Sequence, residues 1–286
     1  MVIKHEYKTT FLEKEDDNFY YLLGYFMTDG CIIYNIDKKR YRAQLCSNDK
    51  DHLEHINPYF SDLSLISKNR NNYVLNVCNK IIAKKLVDKG CVPNKTLILK
   101  FPDVPEQYLP DFIRGCVDGD GSLSFTKNGK NDKYPIFSFY SAAKDFIYGI
   151  KSTLDNWQIK NTIRVQETDM SKIHIVSVLG NVIQKHDQYI IQIRRTEEIQ
   201  KFLKIIYYDN CYFAMPRKLK ITKEILQLTI RRMGEHHCCA KLKEKDILNI
   251  REQCKNGVSK KKIAKQFNIN WRTVYHIFNN ECWKHI

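Results

Sequence analysis

The sequence predicts an α+β protein made of two copies of one mixed helix and strand unit, followed by a small all-helical domain. Two nine-residue stretches, LLGYFMTDG at 22–30 and IRGCVDGDG at 113–121, have Gly at the third place and end in Asp-Gly. Each closes a segment whose apolar residues recur at helical spacing, and each precedes alternating runs typical of a β-hairpin. A length of 286 residues suits two or three compact units.

The first copy is predicted to span 1–105. A helix begins at the N-cap candidates Asp16, Asp17 and Asn18 and ends at the Asp-Gly pair. The segments that follow are strands at 31–36 and 41–47, a helix at 49–60, strands at 63–69 and 73–79, and a helix at 80–90. The predicted order is helix, hairpin, helix, hairpin, helix.

The second copy, at 106–232, repeats this order. Its segments are a helix at 106–121, strands at 122–127 and 134–141, a helix at 143–157, strands within 159–168, 172–178 and 189–194, and a helix at 196–208. Ser47 aligns with Ser141, and Pro-Asn-Lys at 93–95 aligns with Pro-Arg-Lys at 216–218. The second copy carries 32 extra residues, mostly around 159–188. Two copies exclude a solenoid, which needs three or more.

The remaining segment, 233–286, differs in character. A helix is expected at 244–254, Ser259 caps a second helix at 260–267, and a third helix follows a short turn at 271–278. A capped helix, a tight turn and a second helix with polar residues at its start form the helix-turn-helix pattern. Residues 235–286 hold eleven Lys or Arg against five Asp or Glu, so this end is basic.

The charge of the whole chain indicates nucleic acid as the partner. The net charge is +15 and the pI is about 9.2. A chain with this excess binds polyanions because neutralised phosphates release their counterions. The basic residues are interleaved with Tyr, Asn and Gln along the chain rather than gathered in a tail.

The composition also excludes several classes. No apolar run is long enough to cross a bilayer, and the N-terminus lacks the apolar core of a secretory signal. We therefore expect no membrane partner and a location in the cytoplasm or with the nucleoid of a phage, bacterium or organelle. The ten cysteines include no C-x-x-C pair, so free thiols are expected. HHCC at 236–239 offers zinc-ligand types, but adjacent side chains cannot all reach one tetrahedral ion.

The repeated glycine and aspartate indicate a shared site. Gly inside a helix costs about 0.5–1 kcal/mol relative to Ala, so its presence in both copies suggests a packing role. Gly24 and Gly115 each have a small residue one turn further on, and such faces let two helix backbones approach closely. If the two helices pack together, Asp29 and Asp120 finish side by side.

Two neighbouring carboxylates in a basic protein suit a divalent cation with oxygen ligands, most naturally Mg²⁺. Metal ions between an attacking water and a leaving oxygen serve the hydrolysis of phosphodiesters. Lys95 and Lys218, one in each copy, would stabilise the extra charge on the phosphate. A single Asp-Gly is more simply a helix-ending turn. Two matched copies, each followed by Pro-x-Lys, favour the catalytic interpretation.

At these residues the chain resembles a known family. The two nine-residue stretches resemble the LAGLIDADG motif of homing endonucleases in the two-motif, single-chain form, over about 16–230. The resemblance implies two pseudo-symmetric αββαββα halves, with the motif helices at the central interface and antiparallel sheets forming a saddle over DNA. It also implies Mg²⁺-dependent cleavage of both strands at a long site, with two or three divalent cations shared at the motif helices.

The resemblance assigns roles to individual residues. They are Asp29 and Asp120 as metal-binding acids, the backbone carbonyls of Thr28 and Gly119 as further ligands, Lys95 and Lys218 as pocket lysines, and Ser47 and Ser141 as polar residues over the pocket. Met27 stands where the motif often has its first acid, whereas the second copy keeps Asp118. That position usually faces packing, so a structural consequence is expected. Leu23 and Arg114 replace the first Ala of the motif.

DNA-contacting residues are expected on the saddle and on the helix-turn-helix. Strand residues that alternate toward the DNA are Tyr34, Arg40, Arg42, Gln44, Lys68, Arg70, Lys127, Lys133, Arg164, Gln166 and His174. The C-terminal segment resembles the helix-turn-helix appended to some phage and intron-encoded endonucleases. There, phosphate contacts are expected from Lys260, Lys261 and Lys262, and base contacts from Asn270, Trp271, Arg272, Thr273, Tyr275 and His276.

Together these features predict a monomeric, site-specific endonuclease of double-stranded DNA whose helix-turn-helix lengthens the contacted site. Three alternatives stay open: a transcription regulator on a similar core, a maturase that binds intron RNA, and a nickase with one inactive site. Retention of both Asp29 and Asp120 favours cleavage, because a regulator needs no pair of acids at a scissile phosphate.

Overall fold

The computed structural model describes residues 6–35, 40–128, 132–168, 173–176, 180–183, 186–228, 235, 240–284 and 286. The chain divides into two compact units, Met1–Gln227 and Leu228–Ile286. Both sequence repeats lie in the first unit. Within the described residues, every helix is too short or too polar to span a lipid bilayer.

The first half of unit 1 contains the predicted elements in the predicted order. They are the short helix α1 (Phe11–Lys14), α2 (Asp17–Thr28), β1 (Gly30–Asn35), β2 (Arg40–Ser47), α3 (Lys50–Ile56), β3 (Ile66–Asn69), β4 (Asn72–Val77) and α4 (Lys80–Asp88). Asp16 is the N-cap of α2, because its carboxylate accepts the Phe19 N–H at 3.0 Å. The helix therefore starts where the sequence supplies a capping side chain.

The second half repeats this order with an insertion. Its elements are α5 (Leu109–Asp120), β5 (Gly121–Asn128), β6 (Asp132–Ser141), α6 (Lys144–Asn156), β7 (Thr162–Gln166), β8 (Ile173–Val176), β9 (Gly180–Ile183), β10 (Gln188–Ile193), α7 (Thr196–Ile206) and α8 (Pro216–Leu226). Strands β8 and β9 pair only with each other among the described residues and form the extra hairpin of this copy. Helix α8 has no counterpart among the predicted elements.

The two halves form matching antiparallel sheets. Their strand orders are β1-β2-β4-β3 and β5-β6-β10-β7. The alignment of Ser47 with Ser141 extends to their neighbours, since Ser47 lies opposite Tyr73 and Ser141 lies opposite Tyr189. The sequence repeat is therefore a repeat of sheet topology and of register.

Helices cover one face of each sheet. Helices α3 and α4 pack on the first sheet, and α6 and α7 pack on the second. The strand residues on these covered faces are buried: Ala43, Leu45, Leu75 and Val77 in the first sheet, and Phe137, Phe139, Ile191 and Ile193 in the second. The opposite faces carry the polar positions, as expected for sheets with one solvated side.

Unit 2 consists of α9 (Glu244–Lys255), α10 (Lys260–Gln266) and α11 (Trp271–Phe278) around a core of its own. The Ser259 hydroxyl accepts the Lys262 N–H and caps α10, as predicted. Arg251 of α9 donates to the carbonyl oxygens of Ile277, Trp283 and Ile286 and so ties the last residues to the helices.

Candidate active site

The motif helices α2 and α5 pack with their backbones in direct contact. A Cβ atom added to Gly24 would lie 2.2 Å from the Phe112 carbonyl oxygen, and one added to Gly115 would lie 2.0 Å from that of Tyr21. Only residues without a Cβ allow this approach. One turn further on, a Cβ at Gly119 would lie 2.0 Å from Thr28 Oγ1. The two helices therefore end beside each other.

Asp29 and Asp120 lie at these neighbouring helix ends. Burial and, after it, the negative charge of Asp120 raise the pKa of Asp29 to about 7. Burial also raises the pKa of Asp120. Asp120 is nevertheless exposed, so protein atoms surround its carboxylate on some sides and solvent reaches it on others. The Asp29 carboxylate resists ionisation because it is buried and because Asp120 is near, and a divalent cation at the two acids would offset both effects.

The available ligands fit a cation that keeps much of its water. Among the described residues, no group of three or more His, Cys, Asp and Glu side chains forms a metal site. The predicted oxygen ligands at the helix ends are two carboxylates and the backbone carbonyls of Thr28 and Gly119, of which the Gly119 carbonyl also accepts from Lys218 at 3.2 Å. A set of one or two carboxylates completed by phosphate and water is the usual environment of Mg²⁺.

Lys218 is buried and uses its ammonium group to hold the end of α5. Its Nζ donates to the carbonyl oxygens of Val117 at 2.5 Å, Asp118 at 2.7 Å and Gly119 at 3.2 Å. A positive charge at a helix C-terminus is favourable, because the last carbonyls there lack helical partners. Burial lowers the pKa of Lys218 to about 8. All three N–H donors of this lysine are engaged by the backbone.

Lys95 is placed differently in the first half. Its Nζ donates to the carbonyl oxygen of Gly30, the residue after Asp29. Its positive charge opposes the raised pKa of both Asp29 and Asp120. Lys95 is half-buried, and within the described segments its hydrogen-bond partner is this one carbonyl, which leaves two of its N–H donors open. The two predicted pocket lysines are therefore both at the site, with unequal capacity to meet a phosphate.

Arg217 is a third cation at this site, and the sequence analysis did not select it. Its Nε donates to Asp49 Oδ2 at 2.8 Å, a bond that joins the second half to the first. Its charge acts on the Asp29 carboxylate. The sequence does contain one indication of it: in the aligned triplets Pro-Asn-Lys and Pro-Arg-Lys, Asn94 stands at the position of Arg217.

Asp118, the acid that the first copy replaces by Met27, is fully buried. Its carboxylate accepts from the Tyr21 hydroxyl at 2.8 Å, the Tyr207 hydroxyl at 2.5 Å and the Met215 N–H at 2.9 Å. Its role is structural, as expected, because three donors stabilise a buried charge away from the metal-binding acids. Met27 is itself buried, with its Cε close to Gly90.

The Asp118 network continues into the first half. Tyr21 Oη lies 2.8 Å from Nε2 of His52, a fully buried residue of α3. Burial lowers the pKa of His52 to about 4, so this imidazole is neutral near pH 7. The sequence offered no signal for the network, because its members are far apart in the chain.

Arg114, which replaces a small residue of the motif, is also fully buried. Its guanidinium donates to Asp111 Oδ1 at 2.7 Å and to the carbonyl oxygens of Ile206 and Phe213 at 2.9 and 2.8 Å. The group also lies 5.2 Å from the Tyr21 ring centre. Arg114 therefore fixes the segment between α7 and α8, the segment that leads to Lys218.

Ser47 and Ser141 occupy equivalent strand ends and make equivalent bonds. The Ser47 hydroxyl accepts the Asp49 N–H at 3.1 Å, and the Ser141 hydroxyl accepts the Ala143 N–H at 3.1 Å. Both serines therefore shape the turn into the following helix. The structure gives them this local role, and their predicted contact with DNA stays a prediction.

The strand residues predicted to face DNA do not share one face, and this part of the prediction is wrong. In the first sheet Arg42 lies opposite Ile33, whereas Tyr34 lies opposite Tyr41. Because side chains alternate along a strand, Tyr34 points to the other face from Arg42. Lys68 also points away from the face of Arg42. It lies opposite Tyr73, and Tyr73 lies opposite Ser47 on the helix-covered face.

The remaining predicted residues are placed as follows. Gln44 shares a face with Arg42, and exposed Arg70 lies in the β3–β4 turn with φ 53°. Arg164 and Gln166 are exposed on one face of the second sheet. The side chains of Arg40, Lys127, Lys133 and His174 and the whole of HHCC at 236–239 lie outside the described residues.

In unit 2 the predicted contact residues lie at the start of α11 and on α10. Asn270 accepts the Arg272 N–H at 2.9 Å and so caps α11. The exposed residues are Lys261, Lys262, Asn270, Trp271, Arg272, Tyr275 and His276, while Lys260 and Thr273 are half-buried. His276 Nδ1 is bonded to Glu281 Oε2. Val274 and Ile277 are core residues, as expected.

Comparison with known proteins identifies one domain. Residues 108–207, from the start of α5 to the end of α7, match the family model of the LAGLIDADG-like domain. No curated protein matches the chain at a significant level.

Solved structures with similarity include I-DmoI in complex with DNA and Ca, at 17% identity and TM-score 0.49, covering 73% of this chain and 97% of that one. The LAGLIDADG homing endonuclease I-GzeII in complex with its DNA target has 17% identity and TM-score 0.47, covering 72% and 87%. Meganuclease I-SmaMI bound to uncleavable DNA has 13% identity and TM-score 0.45, covering 74% and 91%.

Proposed function

We propose that this chain, with its LAGLIDADG-like domain at 108–207, is a site-specific endonuclease of double-stranded DNA. The observation that carries the proposal is the meeting of Asp29 and Asp120 at neighbouring helix ends in an otherwise basic protein. The charges of Lys95 and Lys218 act on both carboxylates, and the charge of Arg217 acts on Asp29. Acids that bind a cation, set among groups that attract phosphate, suit the hydrolysis of a phosphodiester.

The proposed cofactor is Mg²⁺, as two or three ions held by Asp29, Asp120 and the carbonyls of Thr28 and Gly119. When bound, it supplies Lewis-acid activation of water and stabilises the leaving oxygen. Lys95 keeps open donors for a phosphate, and Lys218 holds the end of α5 in place.

The proposed substrate interface combines both units. The open sheet faces offer Arg42, Gln44, Arg164 and Gln166 to DNA, and alternating side chains suit the reading of a long site. Unit 2 would add contacts through α11 in the major groove and the α10 lysines on phosphates. We further propose that the protein acts as a monomer in the cytoplasm or nucleoid, since one chain supplies both acids.

A cleavage assay with an inactive variant tests the function. Wild-type protein is incubated with Mg²⁺ and a randomised or host-derived DNA library, and double-strand ends are mapped by sequencing. Cutting at one defined site is expected, together with loss of cutting in an Asp29→Asn, Asp120→Asn double variant. Equal cutting by that variant would contradict the proposed endonuclease function of these acids. Specific binding of duplex DNA without any cut would instead favour the regulator.

A further inference from the structure

Arg217 is held at the site by a bond between the two halves. It follows Pro216 at the start of α8, and its side chain is 59% exposed. Its Nε donates to Asp49 Oδ2 at 2.8 Å. Asp49 lies just before α3 and donates its own N–H to Ser47 Oγ at 3.1 Å. The carboxylate that holds Arg217 is therefore itself on an ordered turn.

The outer edge of this guanidinium is open. An arginine carries five N–H donors in a rigid plane, and the bond to Asp49 uses the one on Nε. Within the described part of the chain, Asp49 is its single hydrogen-bond partner. The two terminal nitrogens thus form a free fork of the shape that binds two phosphate oxygens at once.

The guanidinium is held between contacts to both motif ends. Lys218, the residue after Arg217, donates to the carbonyl oxygen of Gly119 at 3.2 Å, and Gly119 precedes Asp120. The anchor Asp49 follows β2, in which the Cys46 N–H donates to the Asp29 carbonyl oxygen at 3.4 Å. Arg217 therefore lies beside the place where a scissile phosphate would meet the acids, and its charge acts on the Asp29 carboxylate.

The neighbouring Lys218 does not offer the same contact. Its three N–H donors are engaged by backbone carbonyls at the end of α5. In the first half the arrangement is reversed: Lys95 bonds one carbonyl, and the residue before it is the exposed, neutral Asn94. Among the described residues beside the paired acids, each half therefore has one cation with open N–H donors, Lys95 in the first and Arg217 in the second.

We propose that Arg217 is a catalytic residue that contacts non-bridging oxygens of one of the two scissile phosphates. The inference rests on the proposed endonuclease function. Arg217 contacts the scissile phosphate of one DNA strand, and Lys95 contacts that of the other strand. Loss of Arg217 therefore slows the cleavage of one strand more than that of the other.

The test measures the two strands separately. Wild-type protein and an Arg217→Ala variant cut, with Mg²⁺, a duplex labelled differently on each strand and a supercoiled plasmid carrying the same site. The variant is expected to slow one strand about 10- to 100-fold. The other strand should change less than about threefold, so nicked plasmid accumulates. Asp49→Ala should slow the same strand by a smaller factor, because the guanidinium loses its anchor.

Two further measurements separate contact from general damage. The matched control, Lys223→Ala, removes one exposed positive charge from the same helix and should leave both strand rates unchanged. For Arg217→Ala, the slope of log affinity for uncut duplex against log salt should fall by about one, as expected for one lost phosphate contact. Thermal unfolding at the wild-type temperature would show that the variant folds.

Unchanged rates on both strands, or equal slowing of both, would overturn the role of Arg217 while the endonuclease function stands. If the wild-type protein cuts no DNA, the proposed function fails and this inference fails with it.

Discussion

At the scale of single residues, His52 shows how a buried base couples stability to pH. It lies in the hydrogen-bonded chain that reaches Asp118 through Tyr21, and its Nδ1 has no hydrogen-bond partner among the described residues. Protonation of this imidazole would place a charge in the interior without a second acceptor. The folded protein therefore keeps His52 neutral.

We predict that His52 contributes a loss of stability to the first unit as the pH decreases from about 6.5 to about 4, opposite in sign to the contribution of Asp29, whose pKa is raised. The pKa of His52 is lowered by burial to about 4, against a usual 6.5, so the unfolded chain binds a proton in this range that the folded chain does not. This linkage costs about 3 kcal/mol over the full range. Denaturant unfolding at several pH values measures this contribution as the difference between the wild type and His52→Gln, because Asp29 and Asp120 act on both proteins alike. Equal slopes in both proteins would contradict the prediction.

The sequence could predict the paired acids, but it could not predict the residues that hold them and act on their charge. Asp29 and Asp120 stand at the same place in two matching stretches, and the repeat itself marked them. Arg217 has Asn94 as its counterpart in the first copy, so a comparison that looks for residues shared by both copies does not select it. The hydrogen bonds of Asp118 join residues about ninety positions apart, which no local pattern records.

At the scale of elements, the contact between α2 and α5 depends on the absence of side-chain atoms. Gly24 and Gly115 each face a carbonyl oxygen of the other helix. The contact is backbone against backbone, and it fixes how close Asp29 and Asp120 come. Any added atom must push the helices apart.

We predict that Gly24→Ala destabilises the protein by about 3 kcal/mol or more, because the new Cβ would lie 2.2 Å from a backbone oxygen. In an open helix the same change would instead be favourable by about 1 kcal/mol. Thermal or denaturant unfolding measures the difference. Ser152→Ala at an exposed position of α6 is the control and should change stability by less than about 0.5 kcal/mol. A loss no larger than in the control would contradict close packing.

The order of helices and hairpins was predictable because their periodicities are strong, and the structure confirms it. Helix α8 was missed for a physical reason. Its buried positions are Lys218, Thr222 and Ile225, so the inward side of the helix is mostly polar and no apolar stripe marks it. Tyr34 and Lys68 were misplaced because strand parity depends on register, which the sequence does not fix without the partner strand.

At the scale of the whole molecule, the two compact units suggest separate contributions to the proposed function. Both acids and the surrounding cations belong to the first unit. The second unit has its own core and an exposed, basic set of residues on α10 and α11. Cleavage and part of the recognition can therefore be separated by deletion.

We predict that removal of residues 240–286 leaves DNA cutting in place while changing its preference. The truncated protein retains the acids but loses the contacts of α10 and α11, so the protected DNA segment should shorten, the affinity should fall, and the dependence of the affinity on salt should become weaker. Footprinting and mapping of cut ends on the same library measure both effects. An unchanged footprint and unchanged site preference would contradict a role of the second unit in recognition.

The hydrogen bond between Tyr21 and Asp118 joins the two halves in a way that their pseudo-symmetry does not repeat. Tyr21 belongs to the first half, and its counterpart in the second half is Phe112, which has no hydroxyl. Two copies of the second half, joined by a twofold axis, would each bury Asp118 with one donor missing. Two copies of the first half would have Met27 there and no acid at all. The hydrogen bond between Tyr21 and Asp118 therefore matches each half to the other, and a homodimer of either half would lack it.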